Sequence, residues 1–419
     1  MERVILHIDL NNFFASVECK YDPELANGYM AVCGSVEDRH GIVLAKNQKA
    51  KEKGVKTGMT IKDAEKLCPE IRFVEASHER YSYWSKQAKA LYREYSEDLE
   101  SFGIDEAWID VSGAGSVEKG REIADEIRER VKEELGLTVS VGVSFNKVFA
   151  KLGSDMKKPD GTTVISVDNY RDLVWKLPVG DLLFVGRSTL DKLERIGVKT
   201  IGDLAKNDLS YVSKYLGKIG ENLWHYANGE DNSPVTKSGE DDEIKSVGNS
   251  VTCYRDLTNA EDAAIMLSSL CESVSERLSR YDIGRARGIS VGVRDSELNW
   301  MAKQVRLEYP STLSDDFFKA ATKLFNDNYE WKNPVRSLSV TVFDFVEAEQ
   351  VKIDEKGKEY DKRLNLMKTV GKLRDKYGAG VMQRGLSLKD KKLNKEGEGR
   401  RQPSARKKIM FLRKIFIAK

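Results

Sequence analysis

The chain of 419 residues contains only five cysteines and four histidines, and no two cysteines stand in a CxxC pair. Such dispersed cysteines argue against a zinc site and against a disulfide framework, and they are typical of a reducing cytoplasm. No apolar run approaches the length of a membrane span, and charged and polar residues interrupt positions 1–12. We therefore expect a cytoplasmic protein with no transmembrane helix and no signal peptide.

Composition predicts a globular protein of three or four domains, because 419 residues exceed one compact core and 40% of them are hydrophobic. The net charge of +2 hides an asymmetry along the chain. Residues 351–419 contain 22 basic and 8 acidic residues, whereas residues 1–350 contain 47 basic and 59 acidic residues. A basic end on an acidic body favours a polyanionic partner, although solvated lysines give a similar composition.

Two predicted strands carry carboxylates at their ends. Asp105 and Glu106 precede the alternating run 107–111, and the apolar run 4–8 ends at Asp9. If these strands pair, the three carboxylates converge and repel one another unless cations neutralise them. This arrangement indicates a two-metal site for phosphoryl transfer. The alternative for any acidic pair taken alone is ordinary surface charge, and His7 on the first strand is expected to be a packed residue.

A strand-to-helix turn follows the first carboxylate. Asn11 and Asn12 make the turn, and Phe13 and Phe14 open the helix. Backbone amides at such a turn form an anion site that suits a triphosphate. Because two adjacent phenylalanines do not easily face one core, one of them is expected to face the site; the alternative is that both pack.

Residues 28–74 are predicted to form a small separate α/β unit with a basic helical patch over residues 46–53. Lys46, Lys49 and Lys53 share one face of that helix by their spacing. A patch of this kind is usually a solvated face, but beside a carboxylate and metal site it could neutralise phosphates.

The order of elements predicts an α+β fold, in which helices cover one face of a sheet that the small unit interrupts. Short helices with glycine breaks follow, and residues 193–204 resemble the second half of a helix-hairpin-helix, which grips DNA phosphates. Residues 228–243 are predicted to be a linker.

A second α/β unit is predicted over residues 244–347, with strands at 244–253, 286–293, 301–307 and 335–343 and helices at 259–279 and 314–326. Basic residues punctuate its strands, and a sheet with one basic face would lie across a nucleic-acid backbone. These residues are Lys245, Arg255, Arg285, Arg287, Arg294, Lys303, Arg306 and Arg336. Residues 350–419 are mostly charged, and we expect one helix near 362–377 in a partly disordered tail.

Taken together, these motifs resemble those of the Y-family of translesion DNA polymerases, especially the bacterial DNA polymerase IV type, in family order over about the first 350 residues. The matching runs are Ile5–Glu18, Ile104–Ala107, Val141–Lys151, Asp155–Gly161, Lys245–Ser250 and Arg255–Thr258. The resemblance implies a multidomain α+β right hand that copies DNA past damaged bases with low fidelity. Its parts would be a palm (1–10 and 75–166), fingers (11–74), a helical thumb (167–235), a linker (236–243), a DNA-binding little finger (244–347) and the basic tail (348–419).

The resemblance also implies a set of site residues and partners. Asp9, Asp105 and Glu106 would be the catalytic carboxylates and would hold two Mg²⁺ together with the Leu10 carbonyl. Phe14 would be the steric gate against ribonucleotides. The nucleotide-binding residues would be Asn11, Asn12, Phe13, Phe14, Gln48, Lys51 and Lys158. The DNA-binding residues would be Lys245, Ser246, Arg255, Arg287, Arg294 and Arg336. The partners would be primer-template DNA and a deoxynucleoside triphosphate (dNTP), and the enzyme would be a nucleoid-associated monomer.

The chain departs from the family pattern on the fingers. Gln48 and Lys51 stand where the family usually has Tyr and Arg, and Ala45 stands where Ser or Thr is common. Lys51 keeps the charge without the bidentate fork of arginine, so we expect activity with weaker nucleotide affinity. Residues Gln350 to Asp354 are a degraded match to the clamp-binding peptide of many bacterial members. The alternatives are a non-catalytic DNA-binding repair scaffold with the same fold, which the intact carboxylates disfavour, and a palm-like nucleotide cyclase.

Overall fold

The computed structural model describes residues 2–34, 41–237, 244–347, 355–378, 381–390 and 393. These residues form two compact units, the first within residues 2–237 and the second within residues 244–393. None of the described helices is both long enough and apolar enough to cross a membrane.

The first unit alternates strands and helices before it ends in a run of short helices. Its strands are β1 (Ile5–Leu10), β2 (Met30–Cys33), β3 (Val43–Lys46), β4 (Arg72–Glu75), β5 (Leu99–Ser101), β6 (Glu106–Asp110), β7 (Val139–Ser144) and β8 (Thr162–Ile165). Its helices are α1 (Phe13–Tyr21), α2 (Gln48–Glu52), α3 (Ile61–Leu67), α4 (His78–Arg93), α5 (Val117–Leu135), α6 (Lys147–Met156), α7 (Tyr170–Val174), α8 (Arg187–Arg195), α9 (Ile201–Lys206), α10 (Leu209–Leu216) and α11 (Lys218–Ala227).

The central sheet of the first unit has the strand order β5-β6-β1-β7-β8. Strand β1 lies antiparallel between β6 and β7, and every residue of β1 is buried. Leu6 and Ile8 belong to the core that α4 and α5 close, whereas Ile5 packs with Ala150 of α6 on the opposite face. The predicted placement of helices on one face is therefore wrong. Both faces are covered because β1 is buried at odd and even positions alike: Ile5 and His7 contact α6, and Leu6 and Ile8 lie in the opposite core.

Helix α6 lies unusually close to β7. A Cβ atom on Gly142 of β7 would lie 1.9 Å from the Ala150 carbonyl oxygen and 2.5 Å from the Ser154 amide nitrogen. Both contacts are with backbone atoms of α6, which cannot rotate away. Glycine at position 142 therefore sets the distance between the sheet and the helix that carries Lys151.

We expect Gly142→Ala to destabilise the first unit by about 3 kcal/mol, because α6 must move off the sheet. The thermal unfolding midpoint should fall by roughly 5–10 °C. The matched control is Gly113→Ala, since a Cβ at position 113 meets no atom within 4 Å. Equal midpoints for the two variants would contradict this account of the packing.

The interrupting unit is a three-stranded sheet of order β3-β2-β4 that packs with α2 and α3 around a small core. The prediction of a separate α/β unit here is confirmed, but the helical patch over residues 46–53 is wrong. Lys46 ends strand β3, and Asn47 caps α2 through the Ala50 amide, so the helix starts at Gln48. Lys46 and Lys49 therefore do not share a helix face.

Residues 170–227 form short helices around one apolar core. Gly197, with φ of 79°, reverses the chain between α8 and α9. Thr200 and Asp203 form a capping box at the start of α9. The predicted helical hairpin over residues 193–204 is present.

The second unit is a four-stranded antiparallel sheet of order β11-β10-β12-β9, with two helices packed on one face. Its elements are β9 (Ser246–Leu257), α12 (Ala260–Tyr281), β10 (Arg285–Asp295), β11 (Trp300–Ser311), α13 (Ser314–Asn328), β12 (Val335–Val346) and α14 (Glu355–Tyr377). The predicted strands and helices of this unit are confirmed, with ends that differ by up to four residues.

The chain beyond β12 packs against this unit in the described residues. The Tyr360 hydroxyl lies 2.8 Å from the Thr312 hydroxyl, Arg384 donates to Glu272 at 2.7 Å, and Leu393 is fully buried. The predicted helix near residues 362–377 is confirmed, and it starts seven residues earlier, at Glu355. Charged side chains of this segment and of residues 381–390 pair with acids on α13 and α12. The possible clamp-binding peptide at residues 350–354 lies outside the described residues.

Candidate active site

The three predicted carboxylates lie at one end of the central sheet. Asp9 of β1 is the register partner of Glu106 on β6. Asp105 directly precedes β6, and its carbonyl oxygen accepts a hydrogen bond of 3.1 Å from the Leu10 amide. The predicted pairing of the two strands is confirmed, and it brings Asp9, Asp105 and Glu106 together.

These carboxylates carry more negative charge than their surroundings balance. Burial raises the pKa of Asp9 to about 6, against the opposing charge of Lys158. Burial, together with the charges of Asp9 and Glu106, raises the pKa of Asp105 to about 7. A site that holds acids in this state favours the binding of cations.

Two lysines bind the carboxylates. Lys158 Nζ lies 2.7 Å from Asp9 Oδ2 and 2.8 Å from Asp155 Oδ1. Lys151 Nζ lies 3.0 Å from Glu106 Oε1 and 3.7 Å from Asp155 Oδ2. Sequence reasoning missed Lys151 and Asp155, although residues 151, 155 and 158 follow helical spacing.

The carboxylate oxygens of this site suit a divalent cation, but they are not arranged around a single metal position. Among the residues that the structure describes, no three His, Cys, Asp or Glu side chains form a group ready to hold a metal. Clustered carboxylate oxygens are nevertheless the ligands that Mg²⁺ prefers. Burial and the neighbouring negative charges raise the pKa values of Asp9 and Asp105, and a bound cation would offset that repulsion. Metal binding would require Lys158 to leave Asp9.

His7 is a packed residue, as predicted. Its ring lies against Phe102 and Trp108, and Nδ1 lies 2.8 Å from the Ser154 hydroxyl. Nε2 lies 3.7 Å from Glu106 Oε2. Complete burial lowers the pKa of His7, so the ring is neutral and supports Glu106 sterically.

The turn after β1 leads into α1, whose first backbone amides have no acceptor within the helix itself. Asn12 adopts a left-handed conformation, with φ of 47°, and its side chain does not cap α1. The Asn11 side chain is buried, donates to the Ser140 hydroxyl at 2.9 Å and accepts from the Asp160 amide at 2.9 Å. Asn11 therefore braces the turn at Pro159, and its side chain is occupied by these contacts.

The two phenylalanines of α1 differ as expected. Phe13 is buried in the core, whereas Phe14 is half-buried and stacks on Tyr81 with a centroid distance of 4.0 Å. The Tyr81 hydroxyl donates to Glu18 at 2.7 Å, and Arg80 pairs with Glu18 at 2.8 Å. The Phe14 ring is thus held by a fixed aromatic neighbour that sequence reasoning missed.

Basic residues lie at the edge of the three-stranded sheet. Lys46 Nζ donates to the Thr57 hydroxyl at 2.9 Å, and burial followed by the nearby charge of Lys51 lowers the pKa of Lys46. Gln48 donates to Glu52 at 3.1 Å. Lys46, a member of the predicted basic patch, therefore lies near Lys51 as a second cation in this cluster.

A cavity of about 460 Å³ in the first unit joins several predicted residues. Its lining includes Asn11, Asn12, Gln48 and Pro159. The start of α1 and the start of α2 therefore face one space.

The predicted DNA-binding residues of the second unit do not all lie on one surface. Lys245 and Ser246 are exposed at the start of β9, and Arg287 is exposed on β10. Arg255 instead donates to both carboxylate oxygens of Asp262 on α12, at 2.6 and 3.0 Å. The Arg255 guanidinium thus ties α12 to the sheet, and its predicted contact with DNA stays a prediction.

Comparisons with known proteins agree with this geometry. Residues 8–155 match the impB/mucB/samB family, residues 244–355 match its C-terminal domain, and residues 180–231 match the DNA polymerase-iota thumb domain. The chain is 47% identical to DNA polymerase IV of Acetivibrio thermocellus over 94% of this chain and 100% of that protein. The chain belongs to the Y-family of DNA polymerases, in its DNA polymerase IV group.

Other relatives of this Y-family chain agree with that membership. DNA polymerase IV 1 of Bacillus subtilis is 36% identical over 94% of this chain and 95% of its own length. A chimeric Y-family polymerase of Dbh and Dpo4 has the same fold, with a TM-score of 0.73, 24% identity and coverage of 82% of this chain and 99% of that structure. The predicted family, the right-hand polymerase fold and the assignment as a low-fidelity DNA-directed DNA polymerase of translesion synthesis are confirmed.

Proposed function

We propose that this chain extends a DNA primer by templated nucleotidyl transfer at Asp9, Asp105 and Glu106. The single observation that carries the proposal is the register of β1 with β6. This register makes Asp9 the partner of Glu106 and places Asp105 next to them. The central sheet would act as palm, residues 11–74 as fingers, residues 167–235 as thumb and residues 244–347 as little finger.

The carboxylates would hold two Mg²⁺, with the Leu10 carbonyl as a further ligand. The chemistry that the bound ions supply is a lowered pKa of the primer 3′-hydroxyl and neutralisation of the triphosphate charge. The chain itself supplies the placement: β1 and β6 fix the carboxylates, and His7 limits the movement of Glu106.

The nucleotide would enter between the start of α1 and the cations of the three-stranded sheet. Lys158 would transfer its hydrogen bond from Asp9 to a phosphate oxygen, while Lys46 and Lys51 would approach from the other side. Phe14 would lie under the sugar. The short side chain of Ala45 and the uncharged Gln48 would enclose the new base pair loosely, which favours low fidelity.

The decisive experiment is primer extension with Mg²⁺ and dNTPs on undamaged templates and on templates with an abasic site. We expect extension on both and none when the metal is chelated. A chain that binds primer-template DNA but extends no primer under any of these conditions would support the repair scaffold instead.

Replacing Lys158 by alanine should raise the KM for dNTP by about 10- to 100-fold, because one charge-assisted hydrogen bond to the triphosphate is lost. The matched control is Lys157→Ala, which removes an exposed neighbouring charge. Steady-state kinetics at saturating DNA measure the difference. An unchanged KM for the Lys158 variant would contradict its transfer to the nucleotide.

On the second unit, Lys245, Ser246, Arg287, Arg294 and Arg336 would contact DNA phosphates and raise affinity independently of sequence. The possible sliding-clamp contact at residues 350–354 and the monomeric state are proposals that rest on the sequence alone.

A further inference from the structure

Within the described residues, α12 and α13 pack on one face of the second unit's sheet, and two aromatic rings lie against the other face. The indole of Trp300 on β11 lies over Gly292 of β10. A Cβ atom added to Gly292 would lie 2.5 Å from the indole Cζ2. Phe343 of β12 crosses Gly288 in the same way, with a Cβ distance of 2.4 Å. Glycine at these two positions allows both rings to lie against the sheet backbone.

Trp300 is the more exposed of the two rings. Its side of the sheet lies away from α12 and α13, the residue is 54% exposed, and it takes no part in the apolar core of the unit. Within the described residues, no ring stack, cation–π contact or hydrogen bond involves the indole; one indole face covers Gly292, and solvent meets the other. An exposed tryptophan fixed in this way is a stacking surface for a flat ligand.

The turn beside Trp300 holds it in place. Asp295 accepts hydrogen bonds from the Asn299 amide at 2.8 Å, the Asn299 side chain at 3.0 Å and the Asn333 side chain at 2.9 Å. These bonds close the turn between β10 and β11, so little side-chain and loop entropy is lost when a ligand stacks on the indole.

One arginine lies beside the Trp300 ring on the same face, and a second lies farther along the sheet. Arg294 is the cross-strand partner of Trp300, and Arg306 is the partner of Gly288 farther along the strands. The Arg306 side chain is 84% exposed, with one carboxylate, that of Asp344, at 3.8 Å. The two glycines are four positions apart on β10, which sets the rings about 13 Å apart along the strand. Such a surface suits a nucleic-acid strand, whose bases can stack on the aromatic rings and whose phosphates can pair with the arginines.

We propose that Trp300 is a stacking site for an unpaired base of single-stranded DNA on the open face of this sheet. This inference rests on the proposed function, because it assumes that the chain binds DNA. It adds base contact to a surface whose arginines alone would contact only phosphates.

The test compares binding of a short oligothymidylate with binding of an abasic oligonucleotide of equal length, measured by fluorescence anisotropy. The wild-type chain should bind the oligothymidylate more tightly, by about 10-fold, which is within the range of base–aromatic stacking. Trp300→Ala should remove most of this preference and leave abasic binding unchanged, while Trp300→Phe should retain part of it. Tyr377→Ala is the matched control, because Tyr377 is an exposed aromatic residue on α14.

The inference is overturned if Trp300→Ala keeps the full preference for bases, or if it weakens both oligonucleotides equally. Circular dichroism shows whether the alanine variant folds; if it does not, the phenylalanine variant and the wild-type comparison decide. A wild-type chain that fails in primer extension would overturn the polymerase proposal alone, since the oligonucleotide comparison needs no catalysis.

Discussion

Asp105→Asn should lower the rate of primer extension by about 10³-fold or more. The substitution keeps the shape of the side chain but removes one of three charges that would hold the divalent ions, and the loss of about 4 kcal/mol of transition-state stabilisation gives this factor. Asp105 lies in the first unit beside Asp9, and its carbonyl contact with Leu10 does not depend on the side chain. Single-turnover incorporation of one nucleotide measures the effect.

DNA binding without metal supplies the control for this variant. Primer-template affinity in a chelating buffer should be equal to that of wild type. The substitution changes one carboxylate and leaves every basic residue that would contact DNA in place. Near-wild-type extension by Asp105→Asn would remove this carboxylate from the catalytic set.

The same substitution should stabilise the metal-free protein. The pKa of Asp105 rises from 3.8 to about 7 in the folded chain, so the folded state binds this proton more tightly than the unfolded state does. This advantage is present at low pH and is lost as the pH rises through about 7. The side-chain amide of the Asp105→Asn variant never ionises, so the variant should unfold at a higher temperature than wild type at alkaline pH. At acidic pH the two midpoints should converge, and added Mg²⁺ should raise the wild-type midpoint alone.

Phe14→Ala should weaken discrimination against ribonucleotides by about 10²-fold. The Phe14 ring stacks on Tyr81 at 4.0 Å and therefore has little freedom to yield to a 2′-hydroxyl. A clash of about 2–3 kcal/mol that disappears with the ring gives a change of this size. The measurement is the ratio of kcat/KM for a deoxynucleotide to that for the matching ribonucleotide.

Two substitutions of Tyr81 test whether Tyr81 holds the Phe14 ring in the position that excludes ribonucleotides. Tyr81→Leu removes the stacked neighbour and should lower sugar discrimination by part of the Phe14→Ala effect. Tyr81→Phe keeps the stack but loses the hydrogen bond to Glu18 at 2.7 Å, so discrimination should stay closer to wild type. Unchanged sugar selection in Phe14→Ala would remove the gate assignment.

The elements of the site were predictable from local pattern. Alternation along residues 107–111 placed Asp105 and Glu106 at the start of a strand, and the apolar run before Asp9 placed that residue at the end of another. The pairing of those strands was an inference that the register of Asp9 with Glu106 confirms. Period-two patterns specify strands well because one register shift would turn every side chain over.

Contacts between distant segments were not predictable in this way. The bonds of Lys158 with Asp9 and of Lys151 with Glu106 depend on how closely α6 approaches the sheet, which Gly142 sets. Composition likewise gave no sign that Arg384 would pair with Glu272 across 112 residues of sequence. A single sequence does not state which of many charges meet after folding.

A crystal structure with primer-template DNA, a non-hydrolysable dNTP and Mn²⁺ tests the central claim most directly, because anomalous scattering locates the ions. The account predicts two ions bound by Asp9, Asp105 and Glu106, with the Lys158 ammonium moved from Asp9 to the triphosphate. A bound nucleotide with Lys158 still paired to Asp9 and no ion at these carboxylates would contradict it.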